Sequence, residues 1–356
     1  MVRNARRGWL RSRSARGSAA VNPPALRSLQ LTYLGRLPSH ADSIQSAHNP
    51  QLLPALDEWM SRTMVRLSDA PRWRRIYDDA APLHFVCLGS RSRLAIAGHL
   101  RPSRNASAQR YPFLVAVPIE VANASDFMVG APMLLQSWWM RAARGVDALS
   151  GRADVEFKGL EAASSQIESG FEGSVEQAAY QQFLHHTSLT SLDEMLNFDG
   201  HDVALKGLML ALGLLLHPVM KKAEPCFDKG LSLPLPCDPL LQPLVATFWL
   251  DAVSRFFLKA DVELLLCIAP VDGMPRLVIG FNGLSSTTLL SVLHARVGAE
   301  RNITIDRPGW VDESARGDAA MRELASRLDR SQQPLEGVLS AFHEAFIGPQ
   351  RPGRGK

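Results

Sequence analysis

Leu83-His84-Phe85-Val86-Cys87-Leu88-Gly89-Ser90-Arg91-Ser92-Arg93-Leu94-Ala95-Ile96-Ala97-Gly98-His99-Leu100 decides how this chain is read. Two apolar runs, 83–88 and 94–100, flank Gly89-Ser90-Arg91-Ser92-Arg93, and five residues of that composition suit a hairpin connection. A third run, Phe113 to Ile119, follows the loop at 101–112 and predicts another strand. None of the three alternates cleanly between apolar and polar residues, the pattern of strands covered on both faces. The expected fold class is therefore α/β, with helices to do the covering.

Those helices are legible on either side. Asn49-Pro50 opens one whose apolar positions Leu52, Leu53, Leu56, Trp59, Met60, Met64 and Leu67 recur every three or four residues. Asp57, Glu58, Arg62 and Arg66 lie on its other face, with Glu58 and Arg62 spaced as an i,i+4 pair. Met133 to Leu149 offers a second covering helix containing Trp138 and Trp139. Between about 148 and 173 the periodicity fades while Gly, Ser and Glu accumulate, so a boundary is expected there. The expected division is a tail at 1–28, an N-terminal domain at 29–160 and a C-terminal α+β extension at 174–345. In the extension, helical patterns cover 174–187, 202–217, 240–258, 286–297 and 317–330. Leu233-Pro234-Leu235-Pro236 reads as an extended connector within 224–239. Strands at 263–269 and 276–281 are joined across Val271-Asp272-Gly273-Met274, where Asp-Gly is a strong hairpin signal. No repeat of solenoid period is evident.

Charge narrows the function classes. The 356 residues carry a formal net charge of +4. Residues 1–30 hold seven Arg and no acid, and 350–356 add Arg351, Arg354 and Lys356, which leaves 29 basic against 35 acidic residues in 31–349. A nucleic-acid binder carries its positive charge on a folded face, so DNA and RNA roles are disfavoured. The Arg-, Ser-, Ala- and Gly-rich tail cannot bury enough apolar surface to offset the entropy of ordering, and disorder is expected there. It lacks the apolar segment of a secretory signal. A start codon set too far upstream would explain it. So would a polybasic segment leaning on an anionic membrane, at up to ~1 kcal/mol per basic residue. The longest apolar stretch, Gly207 to Leu216, falls short of the ~20 residues that cross a bilayer. Cys87, Cys226, Cys237 and Cys267 show no paired C-x-x-C spacing, which suggests buried thiols in a reducing compartment and not a metal site.

Three short motifs carry the most specific signal. Leu34-Gly35-Arg36-Leu37-Pro38-Ser39-His40-Ala41-Asp42 contains a Gly-x-Leu-Pro-Ser-x-x-Asp turn; Asp57-Glu58-Trp59 follows fifteen residues later; Pro102-Ser103 then precedes Arg110-Tyr111-Pro112-Phe113. Together they resemble the TagF (ImpM) family, accessory proteins of bacterial type VI secretion systems. Leu233-Pro234-Leu235-Pro236, Phe248-Trp249-Leu250 and Leu277-Val278-Ile279-Gly280-Phe281 extend the likeness, to about 30–300. The chain departs from the family at Ala41 and Ser43, where Gly-Asp-Phe is usual, and at Asn105 and Ala108-Gln109, where Asp and Gly-Arg are usual. A left-handed backbone at Ala41 would be disfavoured. If an Asp–Arg ion pair belongs to a partner site, amides have replaced both of its ends here, keeping hydrogen bonding but not charge.

The resemblance implies a three-layer α/β/α sandwich around a mixed sheet. It also implies a cytoplasmic, non-enzymatic protein that restrains type VI assembly by binding, through a forkhead-associated-domain protein. A structural subunit of the apparatus base is the second reading. Gly35, Leu37, Pro38, Ser39, Asp42, Asp57, Trp59, Pro102, Ser103, Asn105, Arg110, Tyr111 and Pro112 are the candidate motif and partner-binding residues. Taken alone, Pro38 and Ser39 suit a fold-defining turn, Trp59 lies on the apolar stripe of its helix, and the loop at 101–112 is long enough to touch a partner. An enzyme is the remaining class. Ser39, His40 and Asp42 are adjacent, but sequence neighbours rarely converge as nucleophile, base and orienter. His185, His186, Asp193, Glu194, His201 and Asp202 lack a metal-ligand spacing. Gly170-Phe171-Glu172-Gly173 lacks the Lys-Ser/Thr of a phosphate loop. No cofactor or catalytic residue is expected.

Overall fold

The computed structural model describes residues 30–348, apart from 47, 90–91, 152–166, 168–169, 171, 199, 222–226, 259, 312, 314–316, 318 and 331. The N-terminal tail, Cys226, Phe171 and the tip of the 89–93 connection lie outside the described residues.

Thr32–Gly35 (β1) and Ile44–Gln45 (β2) open the chain, followed by helices Leu52–Ser68 (α1) and Trp73–Asp79 (α2). Strands Leu83–Gly89 (β3), Leu94–Arg101 (β4) and Phe113–Glu120 (β5) come next, then the long helix Ala124–Gly151 (α3). Helices Val175–His186 (α4), Leu189–Phe198 (α5) and Leu205–Leu216 (α6) precede strand Gly230–Pro234 (β6) and helix Gln242–Ser254 (α7). Glu263–Val271 (β7) and Met274–Gly280 (β8) form a hairpin, and Ser286–Leu293 (α8), Ala295–Arg301 (α9), Asn302–Thr304 (β9), Ala319–Leu328 (α10) and Leu335–Ile347 (α11) complete the chain.

The nine strands among the described residues belong to one sheet, ordered β2-β1-β5-β4-β3-β7-β8-β6-β9. Its centre is the antiparallel pairing of β3 with β7, in register from His84 opposite Ile268 to Gly89 opposite Glu263. The sheet is mixed because β6 and β9 run parallel, while the other described pairs are antiparallel. The alternation within each strand explains the apolar runs. Phe85 and Cys87 join Trp59, Leu56 and Leu289 on one face, while Val86 and Leu88 face α3 and α7 on the other. The result is helix, sheet, helix.

Local chemistry fixes the elements. Asn49, at φ 53°, accepts at its carbonyl from Leu52, and its side-chain amide donates to the Gln30 carbonyl and Thr32 hydroxyl at 2.7 and 2.8 Å. The start of α1 is thereby tied to β1. The helix buries Leu52, Leu56, Trp59, Met60 and Leu67, and Glu58 pairs with Arg62 on its outer face. Asp272 and Gly273, both at positive φ, make the β7–β8 turn.

Several expectations need correction. The connector at 224–239 contains β6, whose Leu231 and Leu233 are buried. Pro234 is its last residue, and the register with β9 ends earlier, at Ser232 opposite Thr304. That is where a residue without an N–H can sit. The helix expected from Met133 starts at Ala124 and carries Pro132 inside it. The helix expected at 286–297 is two, broken at His294, which is extended at φ −133°, ψ 102°. Cys87 and Cys267 are buried, but Cys237 is exposed, in the bend between β6 and α7. Among the described residues, no helix is long and apolar enough to cross a membrane.

Candidate functional site

Two loops meet at one end of the N-terminal strands, and the sequence motifs supply nearly every contact between them. The first leaves β1 at Gly35, whose φ of +130° is left-handed territory. A Cβ there would meet the Pro112 carbonyl oxygen and lie 2.7 Å from Phe113 Cα. Gly35 and Pro112 are thus two halves of one close approach, at the register where Gly35 faces Phe113. Leu37 is fully buried, and His40 donates its N–H to the Leu37 carbonyl at 3.1 Å to close the turn through exposed Pro38. The Ser39 hydroxyl donates to the Leu149 carbonyl at 2.9 Å, fastening the turn to the last stretch of α3.

The second loop is clasped by a buried amide. Asn105 is 5% exposed; its Nδ2 donates to the Ala41 carbonyl at 2.7 Å and to Gln109 Oε1 at 3.2 Å, while its Oδ1 accepts from the Gln109 N–H at 2.8 Å. The main chain adds Ala106 N–H to the His40 carbonyl at 2.9 Å, and Ala108 N–H to the Asn105 carbonyl at 2.9 Å. Ser103 contributes its backbone, donating to the Tyr77 hydroxyl at 2.8 Å and accepting from it at 2.9 Å. Tyr77 is buried, which pushes its phenol well above the ordinary range and keeps it a donor.

Three further residue pairs join the loop to α1 and α2. Arg110 grips Asp78 with two nitrogens, at 2.8 and 2.6 Å, and that contact holds the Asp78 carboxyl below its usual range. Tyr111 donates its hydroxyl to Asp57 Oδ1 at 2.6 Å and lies 2.9 Å from the Ser61 hydroxyl. Trp59 points elsewhere: it is buried, packs edge-on against Phe85 with centroids 5.1 Å apart, and donates Nε1 to the Ser285 carbonyl at 3.1 Å. The structure therefore brings together Gly35, Leu37, Pro38, Ser39, Asp57, Asn105, Arg110, Tyr111 and Pro112, with Pro102 and Ser103 leading into the loop. Asp42 is exposed beside them. Trp59 serves the core and the contact with α8.

The departures from the family pattern have distinct structural meanings. Ala41 is not at positive φ, so no left-handed strain arises there. Ala108 is, at φ 59°, in the position where glycine is the family habit. Asn105 and Gln109 do touch, side chain to side chain and side chain to backbone. Sequence reasoning missed Tyr77 and Asp78, which sit on a short helix with one buried residue and no apolar stripe.

Residues 32–167 match the model of the TagF N-terminal domain, described as type VI secretion system-associated. The chain carries a TagF N-terminal domain. That domain associates the chain with type VI secretion. Both loops fall within the TagF domain, and β6 to β9 lie beyond it. Among solved structures, the chain is similar to the crystal structure of PA0076 from Pseudomonas aeruginosa PAO1, at 18% identity and a TM-score of 0.32. The match covers 39% of this chain and 62% of that one, so less than two thirds of that relative is spanned. No curated protein matches.

Several of the side chains weighed as enzymatic or metal-binding alternatives have structural partners. Ser39 Oγ lies 3.0 Å from His40 Nδ1, but its proton is directed at the Leu149 carbonyl, and Asp42 makes no described bond to His40. Asp193 accepts from the Leu205 N–H at 2.7 Å at the start of α6, His201 Nε2 lies 2.8 Å from the Leu235 carbonyl, and Asp202 pairs with Arg307. Among the described residues, no group of three or more His, Cys, Asp or Glu is positioned to hold a metal ion.

Proposed function

We propose that this chain is a non-enzymatic cytoplasmic regulator of a type VI secretion system, restraining its assembly by occupying a partner's surface. The observation that supports this most is the match of residues 32–167 to the TagF N-terminal domain, joined to the way its motif residues are spent. They build two mutually locked loops. A rigid loop pair loses little conformational entropy on docking, which favours affinity. Pro38, Asp42, Arg104 and Gln109 remain exposed on that pair and form the contact surface in this reading. The partner is a type VI component, with a forkhead-associated-domain protein as the first candidate from the family resemblance.

The test is genetic and quantitative. Deleting the gene in a strain that expresses the system should leave secretion intact or raise it, and overproduction should lower it. Loss of secretion on deletion would contradict restraint and favour a structural subunit of the base.

A further inference from the structure

A second surface lies where the TagF domain meets the C-terminal half. A cleft of about 360 Å³ opens between the outer face of α1 and the start of α8, lined by Ser61, Arg62, Val65, Arg66, Ser285 and Thr287, with Ser286 between the last two. Its walls carry two guanidinium groups and no carboxylate. Arg62 and Arg66 are four residues apart and therefore neighbours on one helix face, an arrangement that repels unless an anion intervenes. Glu58 answers Arg62 from one turn earlier. Arg66 bonds the Thr287 hydroxyl, and among the described residues no carboxylate forms an ion pair with it. Between the two, Val65 is 65% exposed, an apolar step in an otherwise polar cleft.

We infer that this cleft docks an acidic peptide segment of a protein partner, a carboxylate lying between Arg62 and Arg66 and an apolar side chain covering Val65. Charge complementarity argues for the carboxylate, since guanidinium forks bind carboxylates in paired hydrogen bonds. The exposed Val65 argues for a chain over a small free anion, which would leave that side chain in water. The cleft is continuous with the motif cluster through Ser61, whose hydroxyl meets Tyr111, and through Ser285, whose carbonyl accepts from Trp59. A segment held here spans both halves of the protein. The inference rests on the proposed partner-binding role.

Fluorescence anisotropy with a labelled seven-residue peptide, six glutamates around a central leucine, and the full chain tests it directly, at low and at raised salt. Binding should be seen at low salt, weaken as salt rises, and fall about tenfold or more in the Arg62→Gln, Arg66→Gln double variant. Val65→Asp should weaken it as well, and both variants should melt with the parent because the altered side chains are exposed or half-exposed. Equal affinity in the parent and the double variant would overturn the inference. Full competition by inorganic phosphate at the peptide's own concentration would also overturn it, in favour of a small-anion site. The measurement needs no secretion machine. Peptide binding with a negative secretion result would overturn only the proposed function; regulated secretion without peptide binding would overturn only this cleft.

Discussion

Asn105 donates its side-chain amide to the carbonyl of Ala41 at 2.7 Å, and through that bond the loop at 101–112 holds the turn at 35–43. The two segments are 64 residues apart in sequence and arrive from different strands. Truncation by Asn105→Ala removes a buried donor and acceptor together, leaving the Ala41 carbonyl and Gln109 N–H without them. A loss of about 1–3 kcal/mol is expected in chemical denaturation. Amide exchange at Ala106, whose N–H donates to His40, should accelerate more than exchange in β4. Unchanged protection would show that the backbone bonds hold the loops unaided.

The family pattern at the same place offers a charge-swap test. Asn105→Asp puts a carboxylate against the Ala41 carbonyl and should cost about 1–3 kcal/mol. Adding Gln109→Arg supplies the counter-charge and should recover most of that loss. A double-mutant cycle with no coupling between the two would contradict the contact described between Asn105 and Gln109.

Ala108→Gly should stabilise the protein. Ala108 sits at φ 59°, where a Cβ costs roughly 1–2 kcal/mol, against which the extra freedom of glycine in the unfolded chain counts for less than 1 kcal/mol. A rise of a few tenths to about 1 kcal/mol is expected from the midpoint of urea unfolding. Gly35→Ala should do the opposite on a larger scale, because Pro112 and Phe113 occupy the space and φ is +130°. A melting temperature unchanged by Gly35→Ala would contradict the close approach of β1 and the 101–112 loop.

A pair of cross-strand histidines makes stability fall in mild acid. His84 on β3 and His99 on β4 face each other with Nδ1 atoms 3.2 Å apart, and His84 stacks on Trp139 of α3. Burial lowers His84 to about 4; burial, then His84 and Arg101, lower His99 to about 3. The unfolded chain takes up these protons at an ordinary imidazole value near 6.5. Stability from the neutral pair is thus complete above that pH and is lost as pH falls from about 6.5 toward 4 and 3, by a few kcal/mol. Thermal melts from pH 7 to 4 should show a steeper decline in the parent than in a His84→Gln, His99→Gln variant. Parallel declines would contradict the buried, neutral state of the pair.

Sequence periodicity exposed those elements whose burial is local. Leu52, Leu56, Trp59 and Met60 mark α1 because one helix face meets one sheet face, and Asp272-Gly273 marks its hairpin because positive φ there is nearly a glycine and aspartate privilege. The β3–β7 pairing was not legible, since Val86 and Leu266 are as apolar as any other strand residues and nothing local names the partner. Pro234 and Pro236 disguised β6, whose ladder ends where the prolines begin. The candidate site was half legible. Its turn and loop stood out as motifs, whereas Tyr77 and Asp78 entered only through contacts made in three dimensions.

If the locked loops present a type VI partner surface, affinity capture will reveal it. The tagged full chain would be recovered from a bacterium expressing the system, beside an Asp42→Lys, Arg104→Glu variant whose exposed changes leave the Asn105 clasp and the Tyr77 contact in place. Mass spectrometry should find type VI components with the parent and lose them with the folded variant. Equal recovery with both would contradict the placement of the surface on these loops, and recovery with neither, while the system is expressed, would contradict the function itself.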